Sequence, residues 1–169
     1  MKGFVQDIEG LATRNEAFRQ VLYTAKSCQL VLMALKPREE IGAEVHQLDQ
    51  FFRVEAGTGE AVLDGVRTPI HTGFAVLVPA GAKHNIINTG AEPLKLYTLY
   101  APPNHRDGVV HRTRADAEAD TEQFDGKIRS ERGAGHTHFR ACAVDQADSS
   151  ARAGWASRMH RLKLSAQAA

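Results

Sequence analysis

The feature that most constrains this chain is the rhythm of residues 18–101. Short apolar and β-branched runs follow one another, broken by turn residues, and no helix-period segment of useful length interrupts them. The runs are FRQVLYT (18–24), CQLVLMALK (28–36), a short one at 41–46, QFFRVEA (50–56), EAVLDG (60–65), VRTPIH (66–71), FAVLVP (74–79), KHNIIN (83–88) and LKLYTLY (94–100). Between them stand Lys36-Pro37-Arg38, Gly57-Thr58-Gly59, Gly73, Ala80-Gly81 and Gly90-Ala91-Glu92-Pro93, and Asp64-Gly65 is a two-residue hairpin signal. Strands recurring at roughly 8–12-residue spacing with turns between them predict an all-β chain, an antiparallel sandwich or barrel.

The flanks read differently. Residues 1–17 hold at most one short helix, within 3–15. Residues 102–130 form a strap beginning Pro102-Pro103-Asn104-His105, and RADAEADTEQ within it is either a short exposed helix or a tail. Residues 131–169 have few large apolar residues and read as a disordered tail. A net charge of +1 argues against a nucleic-acid partner or a membrane-surface footprint, and no apolar run approaches the roughly 20 residues of a membrane span. The first residues carry charges where an export signal would be apolar. The two cysteines, Cys28 and Cys142, are far apart, which excludes a disulfide framework and makes the cytoplasm the expected location.

Strand alternation selects the residues that carry chemistry, because i and i+2 face the same way. Glu44 and His46 share a face. Gln50, Phe52 and Val54 point inward, with Arg53 and Glu55 outward. His84, Ile86 and Asn88 share one face, Asn85 and Ile87 the other. Glu44, His46, Gln50 and His84 then converge inside one barrel. Two imidazoles and a carboxylate suit a divalent transition metal with open positions for water or substrate; Gln50 is either a fourth, weaker oxygen ligand or a hydrogen-bonded structural amide.

The segments GAEVHQLDQFFRVEAG and GFAVLVPAGAKHNIIN resemble the two signature segments of the cupin superfamily. In the second, Gly73, Pro79, Gly81, His84 and Asn88 stand at the family spacing. In the first, Glu44-x-His46, Gln50 and Gly57 keep the spacing where the family has His-x-His, Glu and Gly. The resemblance covers residues 18–101 and is nearest the small single-domain cupins labelled mannose-6-phosphate isomerase-like. It implies a double-stranded β-helix, or jelly-roll, with a metal at its centre carried by Glu44, His46, Gln50 and His84. Iron, zinc, manganese and nickel all remain open as the ion.

Other residues have plainer readings. Asp49 is a turn residue, and His71 belongs to the surface. His136-x-His138 looks like a metal pair but lacks any supporting strand pattern. Only one of Tyr97 and Tyr100 can point inward. The strap either crosses the barrel mouth with His105 or His111 near a substrate, or runs over the surface with both histidines solvated; the second is the simpler expectation. No inward Lys or Arg waits for a phosphate, since Lys83 flanks the site and Arg53 faces out, which weakens the sugar-phosphate version. The lining of Phe52, Val54, Leu77 or Val76, and Ile86 suits a small, mostly apolar ligand. The outward Phe51 and the strands FRQVLYT and CQLVLMA, able to extend a neighbour's sheet, predict a homodimer.

Two function classes follow. One is a metal-dependent enzyme acting on a small organic molecule, isomerase-like or dioxygenase-like, with the inward tyrosine, His105 or Glu44 as candidate bases. The other is a binding or sensor module that holds metal and a small ligand without turnover.

Overall fold

The alternation read from residues 18–101 becomes two antiparallel sheets facing one another. The structure, a computed structural model, describes residues 3–129. The predicted tail at 131–169, with His136-x-His138 and Cys142, lies outside the described residues. A short helix, α1 (Ile8–Arg14), precedes β1 (Arg19–Thr24), β2 (Gln29–Leu35), β3 (Glu44–Val45), β4 (Asp49–Ala56) and β5 (Thr58–Leu63). Then come β6 (Val66–His71), β7 (Ala75–Val78), β8 (Lys83–Asn88), β9 (Leu94–Ala101), β10 (Val110–His111) and α2 (Arg114–Ala119).

One sheet has the order β10-β1-β2-β9-β4-β7 and the other β3-β8-β5-β6. From β2 to β9 the chain crosses between the sheets at every step except the β5–β6 hairpin. It therefore winds around a single core, which is the double-stranded β-helix expected. Val31, Leu35, Ile86, Leu94 and Leu96 are wholly buried there, with Phe52 and Val54 at 1% exposure. Each such side chain contributes roughly 1.5–3 kcal/mol by leaving water.

Turn chemistry explains the connections. Asp64 and Gly65 both have positive φ, 46° and 85°, as a tight β5–β6 hairpin requires. Gly57 joins β4 to β5 at φ 94°, and a Cβ there would sit 2.8 Å from the Pro93 carbonyl oxygen. Asp49 opens β4 and also holds a turn, because its carboxylate accepts the Ala80 N–H at 2.9 Å.

The segment 41–46 is less of a strand than expected. Glu44–Val45 pairs with β8 as a strand and the Ile41 N–H reaches the Ile86 carbonyl at 3.0 Å, but between them Gly42 turns away at φ 98° and gives its N–H to Asn85 Oδ1. The strap also differs from its simpler expectation. Val110 and His111 pair with β1, and the Val21 N–H donates to the Val109 carbonyl at 2.9 Å. RADAEA becomes α2, capped by Thr113. His105 and His111 are buried at 5% and 4% exposure, so the solvated-histidine reading is corrected. A surface strap cannot stay on the surface when β1 would otherwise show an unpaired edge.

Asn88 locks the end of β8. It is 1% exposed, donates to the carbonyls of Leu35 and Glu92 at 2.9 and 2.8 Å, and accepts the Gly90 N–H at 2.9 Å. Asn88→Ala is expected to cost about 2–4 kcal/mol in a denaturant titration, since the buried Leu35 carbonyl and the part-buried Glu92 carbonyl are left without donors. An unchanged midpoint would refute this account of Asn88.

Candidate metal centre

Strand register brings the site together. Glu44 on β3 lies directly opposite His84 on β8. His46 follows two residues after Glu44, and its carbonyl accepts the Gly81 N–H at 2.7 Å, which ties the β7–β8 turn to this corner. Gln50 enters from β4 in the other sheet, beside Val78 and Tyr100. One ligand atom from each of Glu44, His46 and His84 lies within 4.8 Å of the others, a group that could hold a metal ion. His46 Nε2 stands 3.0 Å from Glu44 Oε2.

The electrostatics of this corner favour an ion. Burial works to raise the Glu44 pKa, but the hydrogen bond with His46 and the charges of His46, Arg19 and His84 outweigh it and hold the carboxyl below its usual range. Burial lowers the His84 pKa; the Ala82 carbonyl opposes this in part and His46 adds to it. Burial therefore favours the neutral imidazole. Its Nδ1–H is directed at the Ala82 carbonyl, 3.2 Å away, which leaves Nε2 with a lone pair.

Among the described residues five buried side-chain atoms have no hydrogen-bond partner, one of them the donor Nε of Arg19, and two are acceptors at this corner. These two are His84 Nε2 and Gln50 Oε1, the Gln50 amide nitrogen being spent on Thr98 Oγ1 at 3.1 Å. Buried polar atoms are almost always satisfied. A lone imidazole nitrogen and a lone amide oxygen beside a carboxylate–histidine pair form the donor set of a divalent cation. The residues present fit the group.

The remaining site expectations sort clearly. Tyr100 is the inward tyrosine, 2% exposed, with its phenol pushed well above the ordinary range by burial. Val76 lines the core, while Leu77 is 68% exposed. Lys83 is exposed. The expectation that no arginine points inward is corrected: the Arg19 side chain is 11% exposed, and its guanidinium comes 3.9 Å from Glu44 Oε1. Arg19 shares its face of β1 with buried Val21, so alternation contained the signal. Glu122 was missed altogether. It stands 2.7 Å from His105, seventeen residues away, with nothing local to mark it. Among the described residues no helix is long and apolar enough to cross a membrane.

Residues 31–100 match the family described as Cupin_2, Cupin domain. The chain is similar to the protein YrkC of Bacillus subtilis, 46% identical over 127 residues, covering 70% of this chain and 67% of that one. It is also similar to a crystal structure of a Bacillus halodurans protein, 44% identical, with a TM-score of 0.69 and coverage of 70% and 96%. A Klebsiella pneumoniae protein with a double-stranded β-helix domain shares the fold at 22% identity, TM-score 0.52, covering 60% of this chain and 91% of its own. Sheet topology, signature glycines, the His/Glu cluster and these relatives agree, and the chain belongs to the cupin family.

Proposed function

We propose that this cupin is a metal-dependent enzyme acting on a small organic molecule, its ion held by Glu44, His46 and His84 with Gln50 as a fourth, neutral donor. The observation that carries this reading is the pair of partnerless buried atoms, His84 Nε2 and Gln50 Oε1, beside the Glu44–His46 pair. When bound, the ion supplies Lewis acidity toward a ligand oxygen, or redox chemistry if it is iron. The protein's own groups do the rest. Phe52 and Ile86 keep water from the inner side, and Thr98 fixes the Gln50 amide.

Elemental analysis of tag-free protein tests the reading, together with turnover of sugar phosphates, oxo acids and catechols under air and under argon. Iron with oxygen-dependent turnover supports dioxygenase-like chemistry, and zinc with oxygen-independent turnover supports isomerase-like chemistry. Stoichiometric metal without turnover supports a binding module instead, and absence of any bound metal defeats the proposal.

A homodimer is the second part of the reading, by a route different from the one expected. β2 is paired on both sides and β1 lies between β2 and β10, so neither strand offers a free edge to a neighbour. The outer face of the six-stranded sheet supports the dimer better. Leu30, Leu99, Phe51 and Leu77 are successive register partners across it. Light scattering is expected to give twice the 18.5 kDa chain mass, and Leu77→Asp to return the monomer. A wild-type monomer at micromolar concentration rules the dimer out.

A further inference from the structure

Beside the metal corner stands a second built group. Residues 102–129 carry a buried imidazole–carboxylate pair: His105 Nδ1 lies 2.7 Å from Glu122 Oε1, with the side chains 7% and 2% exposed. Both members are fixed. Glu122 Oε2 accepts the Arg106 N–H at 2.7 Å. The amide of Gln29 clamps the His105 backbone, accepting its N–H at 2.9 Å and donating to its carbonyl at 2.6 Å. The Tyr100 ring meets His105 edge-on with centroids 5.1 Å apart, and it meets the His46 ring at 5.9 Å. His46, His105 and Glu122 line one cavity of about 520 Å³.

The environment sets the protonation. Burial holds the His105 pKa below its ordinary value, with Glu122 opposing in part. Burial acts to raise the Glu122 pKa, but the hydrogen bonds from His105 and the Arg106 N–H prevail and keep it below the usual range. The 2.7 Å contact has Nδ1–H donating to the carboxylate, and in the neutral form that burial favours Nε2 keeps its lone pair. The recorded contact of Nε2 is the long 3.4 Å one from Asn104 Nδ2. Fastening a strap with two buried ionisable groups is costly when apolar side chains would serve. An imidazole oriented by a buried carboxylate at a cavity wall is instead the arrangement of a general base.

Charge points to the substrate. The charges that act on His105 are two carboxylates, Glu122 and Glu44, and the largely buried guanidinium of Arg19. With a divalent ion these leave one positive charge, which a monoanion neutralises. We propose that His105 is the proton-transferring catalytic residue of this site, that Glu122 is its positioning residue, and that the substrate is a small 2-oxo acid with a C–H bond next to the carbonyl. Nε2 takes that proton. The C–H electron pair forms a carbon–carbon double bond while the carbonyl electrons pass to oxygen, giving the enolate. Return of the proton from Nε2 to the same carbon re-forms the carbonyl and completes the step, with no oxidant or reductant needed. The inference rests on the metal reading above.

The test is exchange of the pyruvate methyl protons in D₂O, followed by proton NMR with the metal-loaded full chain and with metal content measured on each sample. Wild type is expected to exchange well above the protein-free rate. His105→Ala is expected to fall about 100-fold, with partial rescue by added imidazole, and Glu122→Gln at least about 10-fold without rescue. Both variants should keep wild-type metal content. Dihydroxyacetone, a neutral carbonyl compound, should exchange more slowly than pyruvate. Independently of turnover, ¹⁵N shifts in the metal-free protein should show His105 protonated on Nδ1, a preference lost in Glu122→Gln. Metal-loaded wild type that exchanges no faster than background overturns this inference and leaves the metal reading standing. So does a His105→Ala variant at the wild-type rate, while faster exchange of dihydroxyacetone overturns the 2-oxo acid assignment. Protein that takes up no metal overturns both readings.

Discussion

His84→Ala is expected to take the metal content of the purified protein from stoichiometric to near zero without unfolding the barrel. The alanine removes the lone-pair nitrogen, Nε2, that has no other partner among the described residues. No neighbouring group can replace it, since the next residue on that face, Ile86, is apolar and wholly buried. His46→Ala should do the same. Glu44→Ala should do nearly as much, because the ion would lose its charged ligand while Arg19 remains nearby. Gln50→Ala should weaken binding less, since a neutral amide oxygen is replaceable by water. A His136→Ala/His138→Ala double variant is the control for the second His-x-His. Metal retained in the His46 and His84 variants but lost in that control would put the site elsewhere.

Gln29→Ala is expected to be the most damaging single change outside the apolar core, at about 3–4 kcal/mol. Gln29 is fully buried. Its nitrogen donates to Thr24 Oγ1 and the His105 carbonyl at 2.9 and 2.6 Å, and its oxygen accepts the N–H groups of Asn104 and His105 at 3.3 and 2.9 Å. Truncation leaves those backbone groups buried and unpaired, each at about 1–3 kcal/mol before relaxation. The strap should loosen first, so trypsin should cut at Arg106, Arg112 and Arg114 faster than in wild type. The metal should stay, since Glu44, His46 and His84 lie on or next to β3 and β8 rather than on the strap. A melting curve and cleavage rate equal to wild type would show that the clamp does not hold the strap.

The sequence by itself determined whatever follows from local sterics and the two-residue period of a strand. Gln50, Phe52 and Val54 face inward because alternation leaves no other choice once one of them is buried. Asp64-Gly65 makes the hairpin because its backbone tolerates positive φ. The spacing of Glu44, His46 and His84 survived folding because register partners on β3 and β8 translate chain spacing directly into distance. Tertiary structure alone decided what depends on a partner far along the chain. Nothing near His105 announces Glu122 or Gln29, yet those two make its burial tolerable. Alternation with Val21 sets the face of Arg19, but its partner is decided only when Glu44 arrives from the opposite sheet. Val76 and Leu77 are chemically alike, and only the pairing of β7 with β4 sends one to the core and the other to the surface. A buried polar group needs a complement, and a complement can come from any point in the chain; that is why the barrel was legible in the sequence and the mouth of its site was not.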